Sequence, residues 1–141
     1  MTSDILLLLI EDDLDDREIF LQAALEVSNT IRCLTASDGD EGLAVLNDRL
    51  SFLPDFIFLD LNLPGENGKE VLKKIKENPS FKDIPVIIYT TTSSPDEARE
   101  CISLGANSFI TKPHNFADIK ETISRVVIVA QGIRQSRVKK V

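Results

Sequence analysis

The sequence predicts an α/β domain built on a doubly wound, five-stranded parallel sheet of strand order 2-1-3-4-5. Three observations predict it. Short apolar runs alternate with segments of helical period along the chain, five times over. The runs are apolar almost throughout, as expected of strands covered on both faces. One segment between them, from Ser94 to Gly105, carries its own helix start and stop residues. A length of 141 residues suits one domain with a core large enough to need no disulfide or metal to fold.

Each element can be justified in turn. The first strand, Ile5–Ile10, is wholly apolar and stops at Glu11-Asp12-Asp13. The helix after it sets Ile19, Phe20, Ala23, Ala24 and Val27 on one face. The second strand, Ile31–Ala36, is weaker because polar residues interrupt it, and the second helix aligns Leu43, Leu46 and Leu50. The third strand, Phe56–Leu59, runs into Asp60. The third helix, over 68–78, puts Val71, Leu72 and Ile75 on one side and Lys69, Lys73, Lys74 and Lys76 on the other. The fourth strand, over 85–89, is rich in β-branched residues and leads to Thr90-Thr91-Thr92. The fourth helix opens with Ser94-Pro95-Asp96-Glu97, a capping box with proline at the first helical position, and Gly105 closes it. The fifth strand, Ser108–Thr111, ends at Lys112-Pro113. The last helix starts near Asn115 and places Phe116, Ile119, Ile123, Val126 and Val127 at helical spacing. The expected division is a domain over 1–130 and, over 131–141, a basic tail or an extension of the last helix.

Charge and composition exclude several function classes. The net charge of −7 is split into −12 over 1–124 and +5 over 125–141, so the body should repel nucleic acid. No apolar run approaches the roughly 18 residues of a membrane span. The short run at Ile5–Ile10 has no basic segment before it, so a secretory signal is not expected. Cys33 and Cys101 sit in apolar surroundings and read as buried free thiols of a cytoplasmic protein.

In a doubly wound sheet the ligand crevice lies at the carboxyl ends of strands 1 and 3. Those ends carry Glu11, Asp12, Asp13 and Asp60, and the ends of strands 4 and 5 add Thr90 and Lys112. Carboxylates this close repel unless one takes up a proton or a divalent cation joins them. Oxygen-only ligands suit a hard ion such as Mg²⁺, and His114, the single histidine, argues against zinc. An ionised aspartate beside a cation, a hydroxyl and a lysine forms a phosphoryl-binding site with its own nucleophile.

Read in order, Leu8-Leu9-Ile10-Glu11-Asp12-Asp13, Phe58-Leu59-Asp60-Leu61-Asn62-Leu63-Pro64, Ile88-Tyr89-Thr90-Thr91 and Phe109-Ile110-Thr111-Lys112-Pro113 resemble the receiver domain of two-component response regulators. The resemblance spans about Ile5 to Val127, and the separations of 30 residues from Asp60 to Thr90 and 52 from Asp60 to Lys112 fit it. It implies a flavodoxin-like (βα)5 fold. It implies that Asp60 is the phosphoacceptor for a sensor histidine kinase or histidine phosphotransfer protein. Asp12 would then ligate Mg²⁺ directly, Glu11 through water, and Asn62 through its main-chain carbonyl, with Asp60 completing the set. Thr90 would be the switch hydroxyl, Lys112 its cationic companion, and Phe109 the switch aromatic that turns inward. The Lys112–Pro113 bond would be cis. Output would pass through the surface of helix 4, strand 5 and helix 5 to a downstream protein or to a second copy of the chain. With no second domain expected, the chain would act by such contacts and not as an enzyme.

Some features depart from the pattern or leave choices open. Thr91 stands where a smaller residue is common, and His114 follows Lys-Pro where an aromatic or aliphatic one is. Asp13 is the alternative to Glu11 in the acid pair, and register favours Glu11 and Asp12. Asp15, Asp16 and Glu18 either complement the helix N-terminus or face a basic partner. A phosphohydrolase using an aspartyl nucleophile would need an acid two residues after Asp60, where Asn62 stands. A flavin or nucleotide binder would need a Gly/Ser/Thr loop after strand 1 in place of the acids.

Overall fold

The five expected strands pair into one parallel sheet in a computed structural model that describes residues 4–139, with side chains described as far as Ile133. They are β1 (Ile5–Ile10), β2 (Ile31–Ala36), β3 (Phe56–Leu59), β4 (Val86–Thr90) and β5 (Ser108–Thr111). Their order is β2-β1-β3-β4-β5, the doubly wound arrangement expected. The helices are α1 (Leu14–Val27), α2 (Gly39–Asn47), α3 (Gly68–Glu77), α4 (Pro95–Ser103) and α5 (Phe116–Lys139).

The wholly apolar β1 divides its side chains between two cores, as the period of a strand requires. Leu8 and Ile10 join Leu46, Val71, Leu72, Ile75 and Cys101 beneath α2, α3 and α4. Ile5, Leu7 and Leu9 join Phe20, Ala23, Ala24, Ile119, Ile123 and Val126 beneath α1 and α5. Parallel pairing of β1 with both β2 and β3, and of β4 with β3 and β5, lines up all five carboxyl ends on one edge.

The helix ends follow local chemistry. Asp13, Asp38, Asn67 and Ser94 cap α1, α2, α3 and α4 by accepting a backbone N–H in the first turn. Pro95 takes the first position of α4, and Gly105 leaves it at a φ of +109°, where a side chain would be strained. Glu97, the expected return half of that capping box, instead bonds Lys69 Nζ on α3 at 2.7 Å.

Several expectations shift. The second helix ends at Asn47, and Leu50 lies beyond it, 58% exposed. Ile19 is also exposed, since the buried face of α1 is the narrower one of Phe20, Ala23 and Ala24. Strand β4 begins at Val86 because Pro85 has no N–H to give the ladder, and it extends through Thr90. A short antiparallel hairpin, Asn62–Leu63 with Glu66–Asn67, follows the third strand and is not legible as a period. The described residues contain no cis peptide bond, so Lys112–Pro113 keeps the intrinsically preferred trans form in place of the cis form that the resemblance implies. Helix α5 continues to Lys139, and the basic side chains of Arg134, Arg137, Lys139 and Lys140 lie outside the described residues.

Candidate functional site

The carboxyl edge of the sheet gathers the residues singled out above. Backbone bonds fix the strand ends: Glu11 N–H donates to the Ala36 carbonyl at 2.9 Å, Asp60 N–H to the Ile10 carbonyl at 3.1 Å, and Lys112 N–H to the Thr90 carbonyl at 2.7 Å. The last of these holds the ends of β4 and β5 side by side. Carboxylate oxygens of Glu11, Asp12 and Asp60 lie within 4.8 Å of one another. Glu11 and Asp60 are buried and Asp12 is exposed, so the cluster opens to solvent on one side.

Lys112 binds this cluster together. Its Nζ donates to Glu11 Oε1 at 2.6 Å, Asp16 Oδ2 at 2.8 Å and Asp60 Oδ2 at 3.0 Å. Its side chain is only 10% exposed, and the ammonium lies 5.9 Å from the centroid of the buried Tyr89 ring. Tyr89 in turn makes edge-to-face contacts with Phe20 and Phe58, which anchors the cleft floor in the α1–α5 core. The sequence offers Asp16 as a helix N-terminal acid or a contact for a basic partner, not as a partner of Lys112, and does not mark Tyr89. Asp16 meets Lys112 only through the rotation of α1, and Tyr89 reads as one more strand residue.

The loop after β3 is shaped by contacts close to Asp60. The Asn62 N–H donates to Asp60 Oδ1 at 3.1 Å, orienting the carboxylate, and the Gly68 N–H returns to the Leu61 carbonyl at 2.9 Å. A Cβ on Gly68 would overlap the Asp60 carbonyl oxygen and sit 2.6 Å from Leu61 Cα. Behind β1, Arg17 donates to the Glu11 carbonyl at 2.8 Å and to Ser37 Oγ at 2.7 Å, tying α1 to the acid-bearing turn. Asp13 points to helix capping, not into the cluster: its Oδ1 accepts from Asp16 N–H at 2.9 Å.

Thr90 is fully buried, and its hydroxyl has no hydrogen-bond partner. A buried hydroxyl without a partner costs about 1–3 kcal/mol, so the position suits a group that is to receive one. Phe109, one register step from Tyr89 across β4 and β5, is half-buried against the core under α4. Thr91 is exposed, and His114 is an exposed loop residue outside the acid cluster.

The electrostatics are those of excess negative charge. Burial pushes the Glu11 carboxyl up to about 7; the Asp60 charge adds to the effect, and the bond to Lys112 opposes it. Lys112 is desolvated, yet hydrogen bonds to Asp16 and Glu11 and the charge of Asp60 hold it above its ordinary value, firmly as the ammonium. One ammonium thus serves three carboxyl groups, Glu11, Asp16 and Asp60, and Asp12 adds a fourth beside Glu11 and Asp60. That imbalance, with hard oxygen donors from three residues, fits a divalent cation of the Mg²⁺ class.

Glu11 has a folded-state pKa above the ordinary 4.5. Its proton therefore stabilises the fold fully below the ordinary value, and that contribution is lost as the pH rises through about 7. Thermal unfolding of the metal-free protein should show a loss on the order of 1–3 kcal/mol from this group between about pH 5 and about pH 8. Mg²⁺ should restore stability at the upper end. A flat profile insensitive to Mg²⁺ would contradict the placement of Glu11.

The profile of the response regulator receiver domain matches residues 7–124. Response regulator Rcp1 of Synechocystis sp. is 31% identical over 124 residues, covering 85% of this chain and 84% of Rcp1. The crystal structure of the phosphorylated cyanobacterial phytochrome response regulator RcpA aligns with a TM-score of 0.78 at 30% identity, covering 88% of this chain and 91% of RcpA. The Mn²⁺-bound form of response regulator Rcp1 aligns with a TM-score of 0.73 at 32% identity, covering 86% of this chain and 91% of Rcp1.

Proposed function

The chain belongs to the response regulator receiver domain family, and from that premise we propose that Asp60 accepts a phosphoryl group from a sensor histidine kinase or a histidine phosphotransfer protein. The observation that carries this reading is the convergence of Glu11, Asp60 and Lys112 with the unpartnered Thr90 hydroxyl at one sheet edge. The likeness to a phytochrome response regulator supports a light-sensing kinase as the donor.

In the reaction, an Asp60 Oδ attacks phosphorus and forms a P–O bond. The bond from phosphorus to the donor atom, an imidazole nitrogen or an acetyl oxygen, breaks, and its electron pair leaves with the donor. The imidazole then takes up a proton. The result is an acyl phosphate on Asp60. Held by Glu11, Asp12, Asp60 and the Asn62 carbonyl, Mg²⁺ would offset charge on the phosphoryl oxygens; binding of a Mn²⁺ ion by the related Rcp1 supports a divalent metal here. Lys112 turns its N–H groups to a phosphoryl oxygen, and the Thr90 hydroxyl gains the partner it lacks. The acyl phosphate carries about −1.5 to −2 charge in place of the carboxylate's single one, with several strong acceptor oxygens, which draws both groups inward. Movement of Thr90 frees space for Phe109, and the surface of α4, β5 and α5 changes shape. That surface addresses a downstream protein or pairs with a second copy.

Asn62, two residues after Asp60, offers no acid for leaving-group protonation, which supports a phosphoacceptor over a phosphatase with turnover. The site of action is the cytoplasm, consistent with the absence, among the described residues, of any helix long and apolar enough to cross a membrane. The test is incubation with acetyl phosphate and Mg²⁺, read by intact mass. One phosphoryl group per chain is expected, and EDTA prevents it. Uptake indifferent to EDTA, or sustained turnover of a generic phosphomonoester, would reject the reading.

A further inference from the structure

Lys112 has three N–H donors and three carboxylate partners. Two of those partners, Glu11 and Asp60, belong with Asp12 to the acid cluster suited to a cation. Asp16 does not. It stands in the first turn of α1, where its own N–H is held by the Asp13 cap at 2.9 Å. The cap that starts the helix therefore also fixes where Asp16 reaches from.

We propose that Asp16 is the positioning residue for Lys112, keeping the ammonium at the cleft when the charge of Glu11 and Asp60 is shared with a cation and a phosphoryl group. The inference rests on Asp60 being the phosphoacceptor. Its physical basis is the asymmetry among the three partners. With a cation in the cluster, Glu11 and Asp60 attract the ammonium less, whereas Asp16 keeps its whole charge for it. Lysine carries its charge on a flexible four-carbon stem and loses rotamer freedom when held, so a fixed anchor matters. Tyr89 lies below the ammonium at 5.9 Å and offers a ring face, not a carboxylate. Misplacing a charge that acts on the transferring group slows the transfer. Because the Asp16 side chain is 39% exposed, solvent moderates its hold, and the effect should be modest.

The test compares wild type, Asp16→Asn, Asp16→Glu, Lys112→Met and the double variant Asp16→Asn/Lys112→Met, all with acetyl phosphate at saturating Mg²⁺. Asp16→Asn should be phosphorylated about three- to tenfold more slowly at an unchanged Tm, and Asp16→Glu should recover most of the rate. In the Lys112→Met background, Asp16→Asn should change the rate by less than about twofold, because the pair acts as a unit. A second readout needs no phosphoryl transfer. Competitive amine labelling, read by mass spectrometry, should modify Lys112 of Mg²⁺-loaded Asp16→Asn about threefold faster or more than in the wild type. Wild-type rates in Asp16→Asn, equal slowing with and without the Lys112 side chain, or unchanged labelling would each overturn the proposal. If the wild type itself takes up no phosphoryl group, the phosphoacceptor reading fails first; a slow variant set against a competent wild type isolates Asp16.

Discussion

Asp60→Asn is expected to take up no phosphoryl group from acetyl phosphate while folding at least as stably as the wild type. The amide cannot form the acyl phosphate, so the loss should be complete. The fold should tolerate the change because the remaining contacts still close. Lys112 keeps Glu11 at 2.6 Å and Asp16 at 2.8 Å and gives up its 3.0 Å bond to Asp60 Oδ2, while an amide oxygen at position 60 can still accept the Asn62 N–H, now at 3.1 Å from Asp60 Oδ1. One carboxylate also leaves a cluster whose oxygens lie within 4.8 Å of one another, relieving repulsion. Since the Asp60 charge helps to raise the Glu11 carboxyl, Glu11 should titrate at lower pH in the variant. Melting curves and intact mass measured on one sample check both halves. Residual phosphorylation would move the acceptor elsewhere.

Gly68→Ala is expected to lower stability by about 2–3 kcal/mol, a fall in Tm of roughly 5–10 °C, and to slow phosphorylation of the protein that remains folded. The added methyl would overlap the Asp60 carbonyl oxygen and crowd Leu61 Cα, both backbone atoms that cannot turn aside. Relief requires the loop after β3 to move away from the first turn of α3, taking the Asp60 carboxylate with it. Gly132→Ala is the matched control, because a Cβ there meets nothing within 4 Å on α5, and helix propensity favours the change by up to about 1 kcal/mol. Equal stabilities for the two variants would show that the loop is softer than its contacts indicate.

The sheet was legible where one physical signal dominated. Apolar runs such as Ile5–Ile10 and Phe56–Leu59 are buried on both faces and read directly as central strands. Once their order was inferred, the residues at their ends marked the site, since parallel pairing must place all those ends on one edge. Features set by tertiary geometry were not legible. The partnership of Lys112 with Asp16, 96 residues apart, depends on how α1 is rotated over the sheet. Ile19 and Leu50 have helical spacing yet are exposed, because spacing names a face and not the width of what covers it. Gly68 opens a helix like any other first-turn residue until the backbone of Asp60 is placed against it. The hairpin after β3 is two residues per strand, too short to carry a period.

Asp60, the buried carboxylate at the carboxyl end of β3, is expected to carry the phosphoryl group. Borohydride reduction of the protein after treatment with acetyl phosphate and Mg²⁺ converts an aspartyl phosphate to homoserine, and peptide sequencing by mass spectrometry then locates it. Homoserine at position 60 and at no other aspartate is the predicted result. Homoserine at Asp12 or Asp13, or a phosphoryl group recovered on Thr90 or His114, would contradict it.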